Sequence, residues 1–134
     1  MTAAPCTQVR PVRVLIVDDE PLFIEMVEAL LAGEHRIEVI GTARDGSEGV
    51  ELALSLEPDV TLMDVSMPVC DGIEAIRRIR ARAPAACILV LSGSPSAADI
   101  DRARQAGAAG FLTKDGIDTA LVGQILELGR RQLV

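Results

Sequence analysis

Hydrophobic residues occur in short runs that alternate with amphipathic stretches along most of the chain. The first run, residues 12–17, is rich in β-branched residues, which is typical of a strand buried on both faces of a parallel sheet. Pro21 suits the first turn of a helix, and apolar residues then recur at helical spacing until Gly33. The start of the chain therefore predicts a strand followed by an amphipathic helix.

The same pattern returns along the rest of the chain, with strand starts about every 25 residues. The further strands are predicted at residues 37–43, 60–63, 87–91 and 110–113. The further helices are predicted near residues 47–56, 73–82, 96–105 and 117–131. Repeated βα units joined by right-handed crossovers give a doubly wound α/β fold, with a parallel sheet between two helix layers. We expect a tail at residues 1–11, one domain at 12–129, and a linker or chain end at 130–134.

The composition narrows the range of functions. The chain has 134 residues and a net charge of −7, with a pI near 4.6, which argues against unaided binding to nucleic acid or an anionic membrane. The sequence contains no signal peptide and no apolar run of about 18 residues, so we expect a cytoplasmic protein without a membrane span. The three cysteines and the single histidine lack the spacing of a zinc site.

Chemically active residues follow four of the five predicted strands. Asp18 and Asp19 follow the first strand, Asp64 the third, Ser92 the fourth and Lys114 the fifth. Because parallel strands end at one edge of the sheet, these side chains are predicted to meet there. Three clustered carboxylates repel one another unless a cation neutralises them, and hard oxygen ligands suit Mg²⁺. The pattern predicts a site for a metal ion and a phosphoryl group.

The motifs at these strand ends resemble the receiver domain of two-component response regulators. They are Val17-Asp18-Asp19, then residues 62–68 with Asp71-Gly72, then Leu91-Ser92-Gly93, then residues 110–114. Residues 19–23 and 106–115 are most similar to the LuxR/NarL-type transcriptional subfamily. The resemblance implies a flavodoxin-like (CheY-like) fold with strand order 2-1-3-4-5.

The resemblance also implies a role for each residue. Asp64 would accept a phosphoryl group from a sensor histidine kinase, Lys114 and Ser92 would contact that group, and Phe111 would move with Ser92 as a switch. The implied ligands of Mg²⁺ (or Mn²⁺) are Asp18, Asp19, Asp64 and the backbone carbonyl of Ser66. The protein would be a signalling switch that catalyses only its own phosphorylation and dephosphorylation, with possible homodimerisation on phosphorylation.

The sequence departs from the usual receiver pattern at two positions and leaves other functions open. Asp115 rather than proline follows Lys114, and the switch aromatic is Phe111 rather than tyrosine. The favoured output is transcription through a helix-turn-helix domain absent from this chain, which alone would contact DNA. The alternative is a stand-alone receiver that acts as an adaptor or phosphoryl shuttle. A third candidate is a Mg²⁺-dependent phosphatase of the haloacid dehalogenase type. Such enzymes usually carry a second Asp two positions after the nucleophile as the general acid, and Ser66 at that position argues against this function.

Overall fold

The computed structural model describes residues 10–65, 72–93 and 96–132. In these ranges five parallel strands form one sheet in the order β2-β1-β3-β4-β5. The strands are β1 (Val12–Val17), β2 (Ile37–Ala43), β3 (Val60–Asp64), β4 (Ile88–Ser92) and β5 (Gly110–Thr113). The helices are α1 (Pro21–Ala32), α2 (Gly46–Leu56), α3 (Gly72–Arg82), α4 (Ala97–Ala106) and α5 (Ile117–Gln132). The predicted fold class and strand order are confirmed.

The sheet is covered on both faces, as its continuous apolar strands require. Val14 and Ile16 of β1 pack into the core on the side of α1 and α5. Leu15 and Val17 of the same strand face the opposite way, into the core shared with α2, α3 and α4. Successive residues of a strand point to opposite faces, so a strand between two helix layers must be apolar at nearly every position.

The ends of several elements differ slightly from the sequence prediction. Strands β3 and β4 extend by one residue to include Asp64 and Ser92, because Asp64 pairs with Leu91 and Ser92 pairs with Thr113 in the sheet. A short 3₁₀ turn, Lys114–Gly116, separates β5 from α5 and was not predicted. The carboxyl edge of the sheet therefore carries Asp64 and Ser92 on regular strand backbone.

Helix α5 runs to Gln132 and so enters residues 130–134, which the sequence assigned to a linker or chain end. Arginine and glutamine favour helical backbone, so nothing in Arg130-Arg131-Gln132 stops the helix. Where the domain ends stays a prediction. Within the described ranges, none of the helices combines the length and the apolar character needed to cross a membrane.

Candidate functional site

The strand register brings the predicted site residues to one edge of the sheet. Val17 pairs with Met63, so the next residues along these neighbouring strands are Asp18 and Asp64. On the other side of β3, Asp64 pairs with Leu91, and Ser92 follows it. Ser92 in turn pairs with Thr113, directly before Lys114. Hydrogen bonding between strands thus fixes four of the predicted residues at neighbouring positions.

Two of the carboxylates at this edge are almost completely buried. Asp18 is 1% exposed and Asp64 is 2% exposed. One oxygen of Asp18, Oδ1, accepts a hydrogen bond of 2.8 Å from the backbone N–H of Glu20. Its other oxygen, Oδ2, is buried and accepts no hydrogen bond from the described part of the chain. Removing a carboxylate from water is costly, so these two groups need cationic partners.

Lys114 supplies the positive charge next to these carboxylates. Its Nζ lies 2.8 Å from Asp18 Oδ2, 2.8 Å from Glu20 Oε1 and 3.4 Å from Asp64 Oδ2. The contact with Glu20 is a hydrogen bond, whereas the close approach to Asp18 is an ion pair that is not aligned as a hydrogen bond. Lys114 is therefore in close contact with three carboxylates at once.

The charge on Lys114 is strongly stabilised. Burial acts to lower the pKa of the Lys114 ammonium, but the carboxylates of Asp18 and Glu20 raise it, and the charge of Asp64 adds to their effect. The balance raises the pKa above its ordinary value, so the ammonium stays charged at neutral pH. The ring of Phe23, at the start of α1, lies 4.3 Å from Nζ and adds a cation–π contact.

The acidic cluster has the donor chemistry of a divalent-cation site. Oxygen atoms of Asp18, Glu20 and Asp64 all lie within 4.8 Å of one another. Carboxylate oxygens grouped this closely are the ligands that a hard cation such as Mg²⁺ prefers. Asp19 is half-exposed and is not a member of this cluster. The predicted ligand carbonyl of Ser66 lies outside the described residues, as do Cys6 and Cys70.

Phe111 lies on the side of the sheet covered by α2, α3 and α4, and Ser92 is at the end of the neighbouring strand β4. Ser92 is 2% exposed and lies two residues after Val90, which belongs to the core on that side. Phe111 pairs with Val90 and packs against the same core while remaining half-buried. A surface cavity of about 100 Å³ lies between Phe111 and residues of α4, including Ile100 and Arg104. The predicted switch pair thus lies on two neighbouring strands, β4 and β5.

Sequence reasoning missed two residues of this site, Glu20 and Phe23. Both occupy the turn that leads from β1 into α1, and both contact Lys114. Glu20 precedes the helix in extended backbone, so no regular periodicity relates it to Phe23 and the sequence offers no such signal for the pair. From the sequence, Asp18 and Asp19 are assigned to the site, whereas Glu20, the third carboxylate in the same run, is not.

Residues 14–126 match the family model of the response regulator receiver domain. The chain belongs to the receiver domain family. The observed sheet order and the strand-end cluster agree with this membership. The signal receiver domain of the response regulator NarL from Mycobacterium tuberculosis superposes with a TM-score of 0.86 and 36% identity, covering 91% of this chain and 98% of that one.

The matching curated relatives have different named functions. A protein-glutamate methylesterase/protein-glutamine glutaminase from Myxococcus xanthus is 48% identical over 103 residues, covering 77% of this chain but 29% of that protein. The transcriptional regulatory protein LnrK from Bacillus subtilis is 38% identical over 104 residues, covering 78% of this chain and 47% of that protein. The chain therefore spans less than half of either relative, and the similarity is confined to that part of each.

Proposed function

We propose that this chain is the phosphoacceptor switch of a two-component response regulator and that Asp64 receives the phosphoryl group. The observation that carries this proposal is the buried Asp64 carboxylate held 3.4 Å from the Lys114 ammonium at the carboxyl edge of a parallel sheet. A carboxylate can act as a nucleophile toward phosphorus, and a fixed cation beside it stabilises the charge of the transferred group.

Transfer from a phosphohistidine kinase is a single displacement at phosphorus. A carboxylate oxygen of Asp64 bonds to phosphorus while the bond between phosphorus and the imidazole nitrogen breaks. The nitrogen keeps the electron pair and takes up a proton, and Asp64 becomes an acyl phosphate. Attack of water on the same phosphorus later releases inorganic phosphate and restores the carboxylate. Phosphoryl transfer depends mostly on positioning and on charge stabilisation, which this site supplies.

Lys114 stabilises negative charge on the phosphoryl oxygens. When bound, Mg²⁺ or Mn²⁺ would neutralise more of that charge and help to orient the phosphoryl donor. The proposed ligands are Asp18, Asp19, Asp64 and the backbone carbonyl of Ser66. Burial of Asp18 and Asp64 lowers the effective dielectric around the reacting group, which strengthens both contributions.

Ser92 and Phe111 are the proposed link between the site and the surface. Ser92 donates its hydroxyl to a phosphoryl oxygen, which draws the end of β4 toward Asp64. Phe111 lies beside Val90 on the same face and next to the cavity of about 100 Å³, so its ring has room to follow. The change reaches the surface formed by α4, β5 and α5, where phosphorylation controls a partner or a second copy of the chain.

The proposed donor is a sensor histidine kinase, and the region around Lys114 supports a protein partner. Leu22 and Met26 of α1 are 79% and 47% exposed, and they lie one helical turn apart. A groove of about 340 Å³ links Met26 to Lys114 and is lined also by Leu30, Ile117, Asp115 and Asp118. Exposed apolar residues beside a reacting group are typical of a surface that a protein donor contacts.

The proposed output is transcription through a helix-turn-helix domain outside this chain, in line with the similarity to LnrK and NarL. A methylesterase output is the second candidate, favoured by the 48% identity to the Myxococcus xanthus enzyme over the shared region. Phosphorylation-dependent DNA binding or methylesterase activity of the protein that contains this sequence would distinguish the two outputs.

Mass spectrometry tests the phosphoacceptor directly. Incubation of the chain with acetyl phosphate and Mg²⁺ should add one phosphoryl group, and Asp64→Asn should prevent the addition because an amide is a poor nucleophile toward phosphorus. Glu25→Gln, on the exposed face of α1, is the matched control and should be labelled like the wild type. Equal labelling of Asp64→Asn and the wild type would contradict the assignment.

A further inference from the structure

Glu20 has no role in the function proposed above, yet it forms one of the shortest contacts of the site. We propose that Glu20 is a positioning residue that holds Lys114 on the side of Asp18 until a phosphoryl group arrives on Asp64. The proposal rests on the proposed function, since it explains how the same site is restrained before phosphorylation. The observation behind it is the uneven set of contacts around the Lys114 ammonium.

Those contacts lie mainly on the side of β1 and α1. Nζ is 2.8 Å from Glu20 Oε1 and 2.8 Å from Asp18 Oδ2, but 3.4 Å from Asp64 Oδ2. The Phe23 ring, 4.3 Å from Nζ, belongs to helix α1, which begins directly after Glu20. Lys114 is therefore held by the segment that joins β1 to α1 more closely than by the proposed phosphoacceptor.

A phosphoryl group on Asp64 adds oxygen atoms that compete for Lys114. Of its two closest partners, Asp18 is 1% exposed and Glu20 is 63% exposed. Water can solvate the released Glu20 carboxylate at little cost, whereas Asp18 would remain buried without its cation. Glu20 is thus the partner that gives way, and Lys114 then moves toward the phosphoryl oxygens.

The site can be altered at Glu20 without loss of the helix. Glu20 is the N-cap residue of α1, but its side chain makes no capping hydrogen bond, and its backbone N–H donates to Asp18 Oδ1. Glu20→Gln keeps this backbone contact and the size of the side chain while it removes the charge. The variant should therefore fold like the wild type.

Lys114 is the only lysine in the sequence, which makes it an unambiguous spectroscopic probe. In metal-free protein labelled with ¹⁵N-lysine, the single side-chain ammonium signal should shift and exchange faster with water in Glu20→Gln than in the wild type. With Mg²⁺ and beryllofluoride, a mimic of the phosphoryl group, the two proteins should give the same signal because Glu20 has been released in both. An identical signal in the metal-free proteins would overturn the proposal.

The rate of phosphorylation gives a second measurement. At saturating Mg²⁺, acetyl phosphate should label Glu20→Gln about two- to fivefold faster than the wild type, the range expected for loss of one exposed ion pair. Asp115→Asn is the matched control, because it removes an exposed carboxylate next to Lys114 that has no contact with the ammonium among the described interactions. Equal acceleration in Asp115→Asn would indicate general charge repulsion and refute the positioning role.

Metal affinity separates this role from direct ligation. Titration calorimetry should show that Glu20→Gln binds Mg²⁺ with an affinity within about threefold of the Asp115→Asn control, since only nonspecific charge is lost in each. A tenfold weaker affinity together with slower labelling would make Glu20 a metal ligand and overturn the proposal. If the wild type is not labelled at all, the proposed function fails, whereas the comparison of metal-free ammonium signals still tests the contact with Glu20.

Discussion

Gly72 stands where the start of α3 touches the backbone of the proposed phosphoacceptor. A Cβ atom at this position would lie 2.8 Å from Val65 Cα and 3.0 Å from the carbonyl carbon of Asp64, and closer still to the carbonyl oxygen. All three are backbone atoms, so no side-chain rotation can relieve the contact. Gly72→Ala must therefore displace either the end of β3 or the start of α3.

The size of the effect follows from these distances. Nonbonded carbon atoms prefer separations of about 3.5–4.0 Å, so the substitution requires a shift of about 0.5–1 Å. Overpacking of this kind costs about 1–3 kcal/mol of unfolding free energy. A reacting group misplaced by about 1 Å can lose about 100-fold in rate. We expect Gly72→Ala to impair phosphorylation of Asp64 more strongly than it impairs folding.

The assay combines urea unfolding with the rate of labelling by acetyl phosphate and Mg²⁺, measured well below the unfolding transition. Gly123→Ala is the matched control, because Gly123 lies within α5 and an added Cβ there has no atom within 4 Å. That control should be labelled at the wild-type rate and be as stable or slightly more stable. Wild-type labelling and stability in Gly72→Ala would refute the reasoning.

Two further predictions concern ion pairs of buried carboxylates. Arg10 donates two hydrogen bonds to Asp59, so Arg10→Ala should lower the free energy of unfolding by about 1–2 kcal/mol at neutral pH, measured in urea. Burial raises the pKa of Asp59, but the hydrogen bonds from Arg10 and Arg13 outweigh it and lower the pKa. The stability contributed by the Arg10–Asp59 pair is thus fully present above the unfolded Asp59 pKa of about 3.9 and is lost as pH falls through the lower pKa of the folded protein. A difference in unfolding free energy between the wild type and Arg10→Ala that persists in strong acid would contradict this. Lys114→Met removes the cation that Asp18 and Asp64 share. The variant should therefore melt at a lower temperature than the wild type in EDTA, and added Mg²⁺ should stabilise it more. An unchanged melting temperature in EDTA would count against this.

The fold could be predicted from the sequence because each strand lies between two helix layers. Such strands must be apolar on both faces, and the runs at residues 12–17 and 60–63 show this directly. The order of the strands came from the resemblance to receivers, since an apolar run does not specify its neighbour. The 3₁₀ turn at Lys114–Gly116 was missed because its residues carry no strong local signal.

The site was predicted in part for a similar reason. Strand ends in a parallel sheet share one edge, so Asp64, Ser92 and Lys114 could be grouped before their contacts were known. Side chains two residues apart on a strand point to the same face of the sheet. Ile16, Leu62 and Leu112 face the core beneath α1 and α5, and two residues after them come Asp18, Asp64 and Lys114. The start of α1 could therefore have been expected to meet Lys114.

The sequence by itself determined the alternation of strands and helices and the carboxyl edge as the place where the predicted site residues gather, with Asp64 and Lys114 among them. Only the tertiary structure decided which members of Asp18-Asp19-Glu20 contact the ammonium. The physical reason is that these three residues cross from strand to helix, where side-chain directions depend on the turn and not on a regular period. That turn directs Asp18 and Glu20 toward Lys114, and so brings into the site a carboxylate that sequence patterns had left out.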